Sequence, residues 1–354
     1  MLYYRQNKEP KGQNGEHMNG KDLGYVIATD YLEVNSGVDV SDAIQRMIDE
    51  NPMRTLYFPD GEYILAKPLC TSARPERSVS FELSNYAIFR AASDWSDSEA
   101  MVRIGAAEPF NTIYTAGSNY AFHGGIIDGS GIANGIAIES GRETSIRNVS
   151  IKNTFIGLHI KDGANSSSSD ADIDTVNIVC NNKKGSIGVL VVGFDNTLTN
   201  MRIAKAETGV KLIGSGNFLR NIHPLFIYRG ECDYQDSCGF DDQSYGCWYD
   251  FCYSDNFAVG FKMKEQTMSV YQTCFCFWYS AHGGVEIGFK SEGRMNSIIS
   301  KSKVSLRDDV AYASYLDALP EGGGRIDQPL FKTELNKNDA YKHYLTDEVI
   351  WAKR

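Results

Sequence analysis

The sequence lacks a long apolar run, an excess of basic residues and any Cys-x-x-Cys pair. No stretch of its 354 residues predicts a transmembrane helix, and Met1-Leu2-Tyr3-Tyr4-Arg5 does not begin a signal peptide. We therefore expect a chain that is cytoplasmic, virion-borne or secreted after loss of a leader. The net charge of −10 argues against nucleic acid or a membrane as the main partner, because both attract basic patches. A strongly polyanionic ligand would need a locally basic groove.

Eight cysteines are present, and six of them fall within residues 232–276. Because no Cys-x-x-Cys pair occurs, the sequence predicts no structural metal site. We expect buried free thiols that stack as small apolar residues in the core, namely Cys252, Cys274 and Cys276. The alternative is a disulfide in an oxidising compartment that joins Cys232 to Cys238 or Cys247.

A tetrad of glycine, apolar, any and apolar residue recurs through the middle of the chain. Its six copies begin at Gly135, Gly157, Gly188, Gly209, Gly260 and Gly284. The steps between these glycines are 22, 31, 21, 51 and 24 residues, and a second strand-like segment precedes most copies. Two short strands per unit predict a solenoid whose coils bury their apolar faces by stacking on one another. The predicted fold class is an all-β solenoid, a single-stranded right-handed parallel β-helix, in which the step of 51 residues spans two coils.

The segment before the repeats predicts a helix over about residues 39–50, with Asp39 or Ser41 as its N-cap. This helix is followed by Phe58-Pro59-Asp60-Gly61-Glu62-Tyr63, and together they resemble the N-terminal cap of the pectate-lyase-like β-helix superfamily. Gly124-Gly125-Ile126-Ile127-Asp128-Gly129-Ser130-Gly131 resembles the first-coil motif of that superfamily. The resemblance covers roughly residues 30–305 and implies the fold. It does not choose a function, because the superfamily includes lyases, hydrolases, fructotransferases, epimerases and phage tailspikes.

The chain divides into three predicted parts. Residues 1–23 predict a flexible tail, residues 24–305 the β-helix, and residues 306–354 a C-terminal cap or oligomer contact. Within the β-helix, residues 228–246 are acidic, aromatic and without periodicity, so they predict a loop excursion from the coil. Long loops on a rigid scaffold are common places for functional sites.

Equivalent positions on neighbouring coils lie about 4.8 Å apart, so their side chains form columns. One predicted outward column contains Ser150, Asn177, Arg202, His223, Cys252 and Phe275. A second column, two residues earlier, contains Asn148, Thr175, Asn200, Asn221, Asp250 and Thr273. Arg202, His223 and Asp250 thus lie on consecutive coils beside the acidic excursion, which makes this face the predicted site.

The leading hypothesis is a carbohydrate-active enzyme that cleaves or transfers glycosidic bonds of a poly- or oligosaccharide. Its predicted catalytic residues are Asp250, Asp241, Asp242 and His223, with Asp250 and one of the adjacent aspartates as a carboxylate pair. Its predicted substrate-binding residues are Arg202, Trp248, Tyr249 and Asp255. Each has a structural alternative: the polar residues can serve in turns or surface ladders, and the aromatic pair can fill the core.

Two other functions compete with this hypothesis. A uronate lyase needs a base and a cation that neutralises the substrate carboxylate, so His223 would act with Arg202 or with Ca²⁺. A non-catalytic glycan-binding protein of the tailspike kind would trimerise through terminal segments. The polygalacturonase-type signature is missing, since Asn-Thr-Asp, Gly-His-Gly and Arg-Ile-Lys do not occur. Apart from Ca²⁺ in a lyase, no cofactor is predicted.

Overall fold

The computed structural model describes residues 24–107, 120–163, 168–279 and 284–346, so the predicted tail 1–23 lies outside the described residues. The strands of the first half are Tyr25–Ile27 (β1), Arg54–Phe58 (β2), Gly61–Leu65 (β3), Leu69–Ser72 (β4), Val79–Leu83 (β5), Ala87–Ala91 (β6), Ala100–Ala107 (β7), Ala121–His123 (β8), Ile126–Asp128 (β9), Asn134–Ile138 (β10), Ser145–Arg147 (β11), Ser150–Thr154 (β12), Ile156–Ile160 (β13), Asp172–Asp174 (β14) and Asn177–Cys180 (β15). The strands of the second half are Ile187–Val191 (β16), Thr197–Ala204 (β17), Thr208–Leu212 (β18), Phe218–Leu225 (β19), Cys238–Asp242 (β20), Trp248–Asp250 (β21), Tyr253–Asp255 (β22), Val259–Met263 (β23), Val270–Gln272 (β24), Phe275–Phe277 (β25), Val285–Arg294 (β26), Ile298–Ser300 (β27), Lys303–Val304 (β28), Tyr312–Leu319 (β29) and Arg325–Asp327 (β30). The helices are an α-helix, Ser41–Glu50 (α1), and 3-10 turns at Ala28–Asp30, Pro75–Arg77, Thr333–Leu335 and Asp339–Tyr344.

These strands form two parallel sheets that wrap one hydrophobic core. The ten-stranded sheet contains β4, β7, β10, β13, β16, β18, β20, β23, β26 and β29, and the other strands form the twenty-stranded sheet. Most coils add one strand to the ten-stranded sheet and two short segments to the twenty-stranded sheet. The predicted parallel β-helix is therefore confirmed. No helix within the described ranges is long and apolar enough to cross a membrane.

A single residue in left-handed conformation separates the two short segments of a coil. In successive coils this residue is Asn148, Thr175, Asn200, Asn221, Phe251, Thr273 and Lys301, with φ between 49° and 57°. Asparagine tolerates this conformation well, which explains its recurrence here. The predicted column was therefore wrong in one coil, because Phe251 and not Asp250 takes the bend. The shift places Cys252 in the core and Tyr253 outside.

Glycine is required where the two sheets meet. An added Cβ on Gly188 would lie 2.3 Å from Ile203 Cγ2 and 2.5 Å from the carbonyl oxygen of Gly209. The same crowding recurs on seven successive coils, at Gly135, Gly157, Gly188, Gly209, Gly239, Gly260 and Gly288. The step from Gly209 to Gly260 spans two coils through Gly239, as predicted. The tetrad at Gly284 was misassigned, since Gly288 occupies the equivalent corner.

Helix α1 covers the first edge of the ten-stranded sheet. Ile44, Met47 and Ile48 are buried, as the amphipathic pattern predicts. The Gln45 side chain donates to the Cys70 carbonyl at 2.9 Å and accepts from the Cys70 amide at 2.9 Å. The Gln45 side-chain amide therefore makes the hydrogen bonds that a further strand would make with the backbone of β4.

The boundaries of two predicted features change. The β-helix continues beyond residue 305, because β29 and β30 still pair with the preceding coil. The excursion is shorter than 228–246, since residues 238–242 form β20. All eight cysteines are free, and Cys252, Cys274 and Cys276 are buried, so the predicted buried free thiols are confirmed and the disulfide alternative is wrong. The three do not form one stack, because Cys276 pairs with Ser254 and Val304.

Candidate functional site

Asp242 is a structural residue of the core. Its side chain is fully buried, where it accepts hydrogen bonds from Ser244 Oγ and Ser269 Oγ at 2.6 Å and from Tyr271 Oη at 3.0 Å. A carboxylate with several donors inside the coil is well satisfied, and it has no route to a substrate. The adjacent Asp-Asp places these two side chains on opposite faces of β20, because successive residues of a strand alternate.

Asp241 and Asp250 point outward from different sheets. Asp241 lies on the ten-stranded sheet between Lys211 and Lys262, and it accepts from Gln243 Nε2 at 2.8 Å. Asp250 lies on the twenty-stranded sheet, where its carboxylate is 3.5 Å from Arg220 Nε. The structure therefore does not bring Asp250 together with either member of the Asp-Asp pair.

The two predicted aromatic contacts also separate. Trp248 is 51% exposed on the outer surface between Phe218 and Val270, so it remains a candidate sugar contact. Tyr249 faces the interior and stacks on Tyr271 with ring centroids 4.6 Å apart. The prediction for Tyr249 was wrong, because the strand alternation that exposes Trp248 buries its neighbour.

Arg202, His223 and Asp255 do come together, around a residue that the sequence analysis missed. Arg202 and His223 are direct neighbours in the ladder of β17 and β19. His223 stacks on Tyr253, with ring centroids 4.1 Å apart and planes inclined by 13°. Asp255 lies two residues after Tyr253 on the same face of β22. We refer to Arg202, His223, Tyr253 and Asp255 as the His223 face.

The His223–Asp255 pair is close but incompletely hydrogen-bonded. His223 Nε2 is 3.6 Å from Asp255 Oδ2. That nitrogen and Asp255 Oδ1 are buried and make no hydrogen bond to the described residues. Most buried polar atoms in native proteins have a partner, so such atoms indicate a place where a ligand, water or a tightened contact is expected. A His–Asp pair that tightens on binding is one such case.

The remainder of the face is aromatic and cationic. Tyr253 stacks on Phe275 at 4.8 Å, and the Lys303 ammonium lies 5.1 Å from the centre of the Phe275 ring. Burial, and secondarily the charge of Asp255, raises the pKa of the Tyr253 phenol to about 12. Arg202 is exposed, and its Nη1 donates to the carbonyls of Met201 and Asn221 at 3.0 and 3.2 Å.

The excursion borders this face at the corner between the sheets. Phe226 donates its backbone amide to the Asp255 carbonyl at 2.9 Å, which fixes the start of the excursion. Tyr234 packs on Phe226 and donates its hydroxyl to the Val285 carbonyl at 2.8 Å. Asp233 donates its amide to Glu207 Oε2, so the excursion folds back over an earlier coil. It therefore flanks the His223 face.

A second titratable group is buried at the same corner. Glu286 is 1% exposed, and neither carboxylate oxygen has a hydrogen-bond partner within the described residues. Its nearest cation is Arg307, with Nε 3.7 Å from Oε1. Burial raises the pKa of the Glu286 carboxyl to about 8, against the opposing charge of Arg307. At neutral pH this group holds a proton.

The donors on the His223 face do not fit the Ca²⁺ site of the lyase alternative. Ca²⁺ takes about six to eight oxygen ligands, usually several of them carboxylates. Asp255 is the carboxylate that this face contributes, and the described residues contain no cluster of three or more His, Cys, Asp or Glu residues suited to a metal. The His223 face therefore lacks the ligand set that a Ca²⁺-dependent elimination would need.

No family model matches the chain, and no curated protein matches its sequence. Solved structures are similar in fold. An alginate lyase from a Paenibacillus species is 12% identical, with a TM-score of 0.52 over 81% of this chain and 95% of the other. An α-1,3-glucanase catalytic unit from Streptomyces thermodiastaticus is 11% identical, with a TM-score of 0.58 over 99% and 71%. The tailspike of E. coli bacteriophage HK620 is 10% identical, with a TM-score of 0.57 over 88% and 67%. At these identities the likeness concerns the fold alone, and it identifies the chain as a right-handed parallel β-helix.

Proposed function

We propose that this protein acts on an acidic polysaccharide at the His223 face. The proposed reaction is a β-elimination that breaks the glycosidic bond of a uronate unit. The observation that carries this proposal is the placement of an imidazole, a carboxylate, a guanidinium and a phenol side by side on one rigid sheet. The proteins with a similar fold include an alginate lyase, a glucanase and a tailspike that binds a pentasaccharide. Their ligands support a glycan as the ligand of this protein.

His223 is the proposed base. In the tautomer with its proton on Nε2, the imidazole directs that proton towards Asp255 and carries its lone pair on Nδ1. Nδ1 would remove the proton from the carbon that bears the uronate carboxylate. Asp255 would hold the ring and stabilise the imidazolium that forms, so we assign it as a positioning residue.

Arg202 and Tyr253 complete the reaction. The free guanidinium nitrogens of Arg202 would pair with the uronate carboxylate and stabilise the negative charge that develops there. As the carbon–hydrogen bond breaks, a carbon–carbon double bond forms and the bond to the glycosidic oxygen breaks. The raised pKa keeps the Tyr253 phenol protonated, so it can donate the proton that the departing oxygen takes up.

The local charge suits an acidic polymer despite the net charge of the chain. Arg202 and Lys303 lie in the same outward column as His223 and Phe275. The neighbouring column contains Lys152 together with Asp128 and Asp255, so Arg202 and Lys303 supply the positive charge of this face. Hydrolysis or transfer by Asp250 with Asp241 or Asp242 has no such support, because those carboxylates lie on separate faces.

The test is a panel of uronate and neutral polysaccharides, assayed for the ultraviolet absorbance of unsaturated products and for new reducing ends, with and without a chelator. We expect absorbance on at least one uronate polymer, unaffected by the chelator. His223→Gln should reduce the rate about 10²- to 10⁴-fold, the usual contribution of a general base. His123→Gln is the matched control, since His123 forms a similar pair with Glu82 at 3.5 Å on a distant coil. Reducing ends without absorbance, or binding without turnover, would contradict the elimination.

A further inference from the structure

A cavity of about 210 Å³ opens on the outer face of the ten-stranded sheet, on a different wall from the His223 face. Its apolar floor includes Ala137 and Ile156, and its polar lining consists of Ser98, Glu99, Asn134, His159 and Lys161. Three coil steps separate it from His223, or about 14 Å along the axis. Ala137 and His159 occupy the unconstrained third positions of two tetrads, and the proposed elimination uses none of these residues.

The charges around this cavity cancel. Lys161 Nζ donates to Glu99 Oε2 at 2.7 Å and to Glu139 Oε1 at 2.9 Å. Arg103 forms a bidentate pair with Glu139 at 2.7 and 3.0 Å. Two acidic and two basic groups therefore leave no net charge to attract an ion. This balance selects against a charged ligand, whose own charge would be desolvated without compensation.

His159 is a neutral imidazole without a hydrogen-bond partner among the described residues. Burial, and secondarily the charge of Lys161, lowers the pKa of His159 to about 4. A neutral imidazole offers one donor and one acceptor, and the Lys161 ammonium has one N–H left after its two carboxylate contacts. The cavity thus presents both kinds of hydrogen-bonding group above an apolar floor.

We propose that this cavity binds a single uncharged, hydroxyl-rich ring, such as a neutral hexose unit of a glycan. Hydroxyl groups can both donate and accept, which matches His159 and Lys161, and the carbon-bound hydrogens of the ring match the floor of Ala137 and Ile156. The volume is below the roughly 300–1,000 Å³ of sites for drug-sized ligands, which suits one ring rather than a chain. This proposal does not depend on the elimination at the His223 face.

The experiment follows the ring signals of isotope-labelled histidine in the full chain by NMR while a monosaccharide is added. The probes are D-glucose, D-galactose and D-mannose, with D-glucuronate and D-glucosamine as charged counterparts. We expect at least one neutral hexose to shift the His159 signal saturably in the low millimolar range, the strength usual for so small a ligand. The charged counterparts should bind at least about tenfold more weakly.

Two variants make the result specific. His159→Gln should weaken hexose binding about tenfold, as expected for a lost hydrogen bond, and it assigns the His159 signal. His123→Gln should leave the hexose affinity unchanged, because His123 lies on the other sheet. The inference is overturned if no neutral hexose moves the wild-type His159 signal saturably, or if the charged sugars bind as tightly. The wild-type titration decides the matter even if a variant folds poorly.

Discussion

At the residue scale, the His223–Asp255 pair is costly to the folded state unless something uses it. Each buried polar atom without a hydrogen bond costs about 1–3 kcal/mol, and His223 Nε2 and Asp255 Oδ1 are two such atoms on one face. Proteins retain such costs where binding or catalysis relieves them. The same reasoning applies to Glu286, which is buried at the corner where the excursion borders this face.

The two aspartates of this coil should behave differently. Asp255→Asn should lower turnover of a uronate polymer at least about tenfold, because the imidazolium that forms on His223 loses a neighbouring negative charge. Asp250→Asn should leave turnover unchanged, since Asp250 contacts Arg220 and not His223. Steady-state kinetics of both variants checks this. If only the Asp250 variant lost turnover, the carboxylate-pair hypothesis would return.

Glu286 should make stability depend on pH. In the unfolded chain its carboxyl ionises near the ordinary pKa of 4.5, whereas the folded chain keeps the proton to about pH 8. Between these values the folded state binds more protons, so stability falls as pH rises and levels off above about pH 8. Glu286→Gln lacks this penalty and should be more stable by a few kcal/mol at pH 8 and little different at pH 4.

Denaturant unfolding across this pH range measures the effect. The exposed Glu33→Gln is the matched control and should show no pH-dependent difference. A constant difference between Glu286→Gln and the wild type at every pH would contradict the assignment.

The site was only partly predictable from the sequence. Arg202 and His223 were found because their coils follow a regular period and the column rule applies directly. Tyr253 was missed because Phe251, an apolar residue, takes the left-handed bend where most coils have Asn or Thr. Asp241 and Asp242 were predicted as site residues only because the sequence of β20 was interpreted as part of the loop excursion. Their separation onto opposite faces follows from strand alternation once the strand is known.

At the element scale, the corner glycines control how closely the two sheets approach. Seven of them lie in register, and each leaves room for the carbonyl of the next coil. The tetrad pattern detected this constraint without revealing its cause. It failed at Gly284 because that glycine precedes β26, whereas the crowded corner falls at Gly288 within the strand.

Gly188→Ala should destabilise the fold by about 1–3 kcal/mol or more, since its Cβ would overlap Ile203 and the Gly209 carbonyl. Gly246→Ala is the matched control, because its added Cβ would meet nothing nearer than the Met268 carbonyl oxygen at 3.1 Å. Thermal and denaturant unfolding compare the two. Equal stability of both variants would show that the corner is more open than described.

At the scale of the whole molecule, the solenoid depends on covering its ends. Helix α1 covers the first edge through Gln45, and the segment around Phe331, Tyr341 and Tyr344 packs over the last coils. An uncovered parallel edge invites pairing with another chain. The trimer considered for the tailspike alternative remains a prediction, as does the cellular location.

Gln45→Ala should lower the stability by about 1–3 kcal/mol, because the Cys70 amide and carbonyl lose their partners. The variant should also associate more readily through the exposed edge of β4. Light scattering and denaturant unfolding measure both effects, with the exposed Gln272→Ala as control. A variant that stays as stable and as dispersed as the wild type would contradict a capping role for Gln45.

Mass spectrometry of the cleavage products is the direct test of elimination at the His223 face. Elimination gives a new non-reducing end that is lighter by one water than the hydrolysis product, because the double bond replaces an added water. We expect this lighter product from a uronate polysaccharide with the wild type and its near-complete loss with His223→Gln. Products of full hydrolytic mass, or unchanged cleavage by the variant, would contradict it.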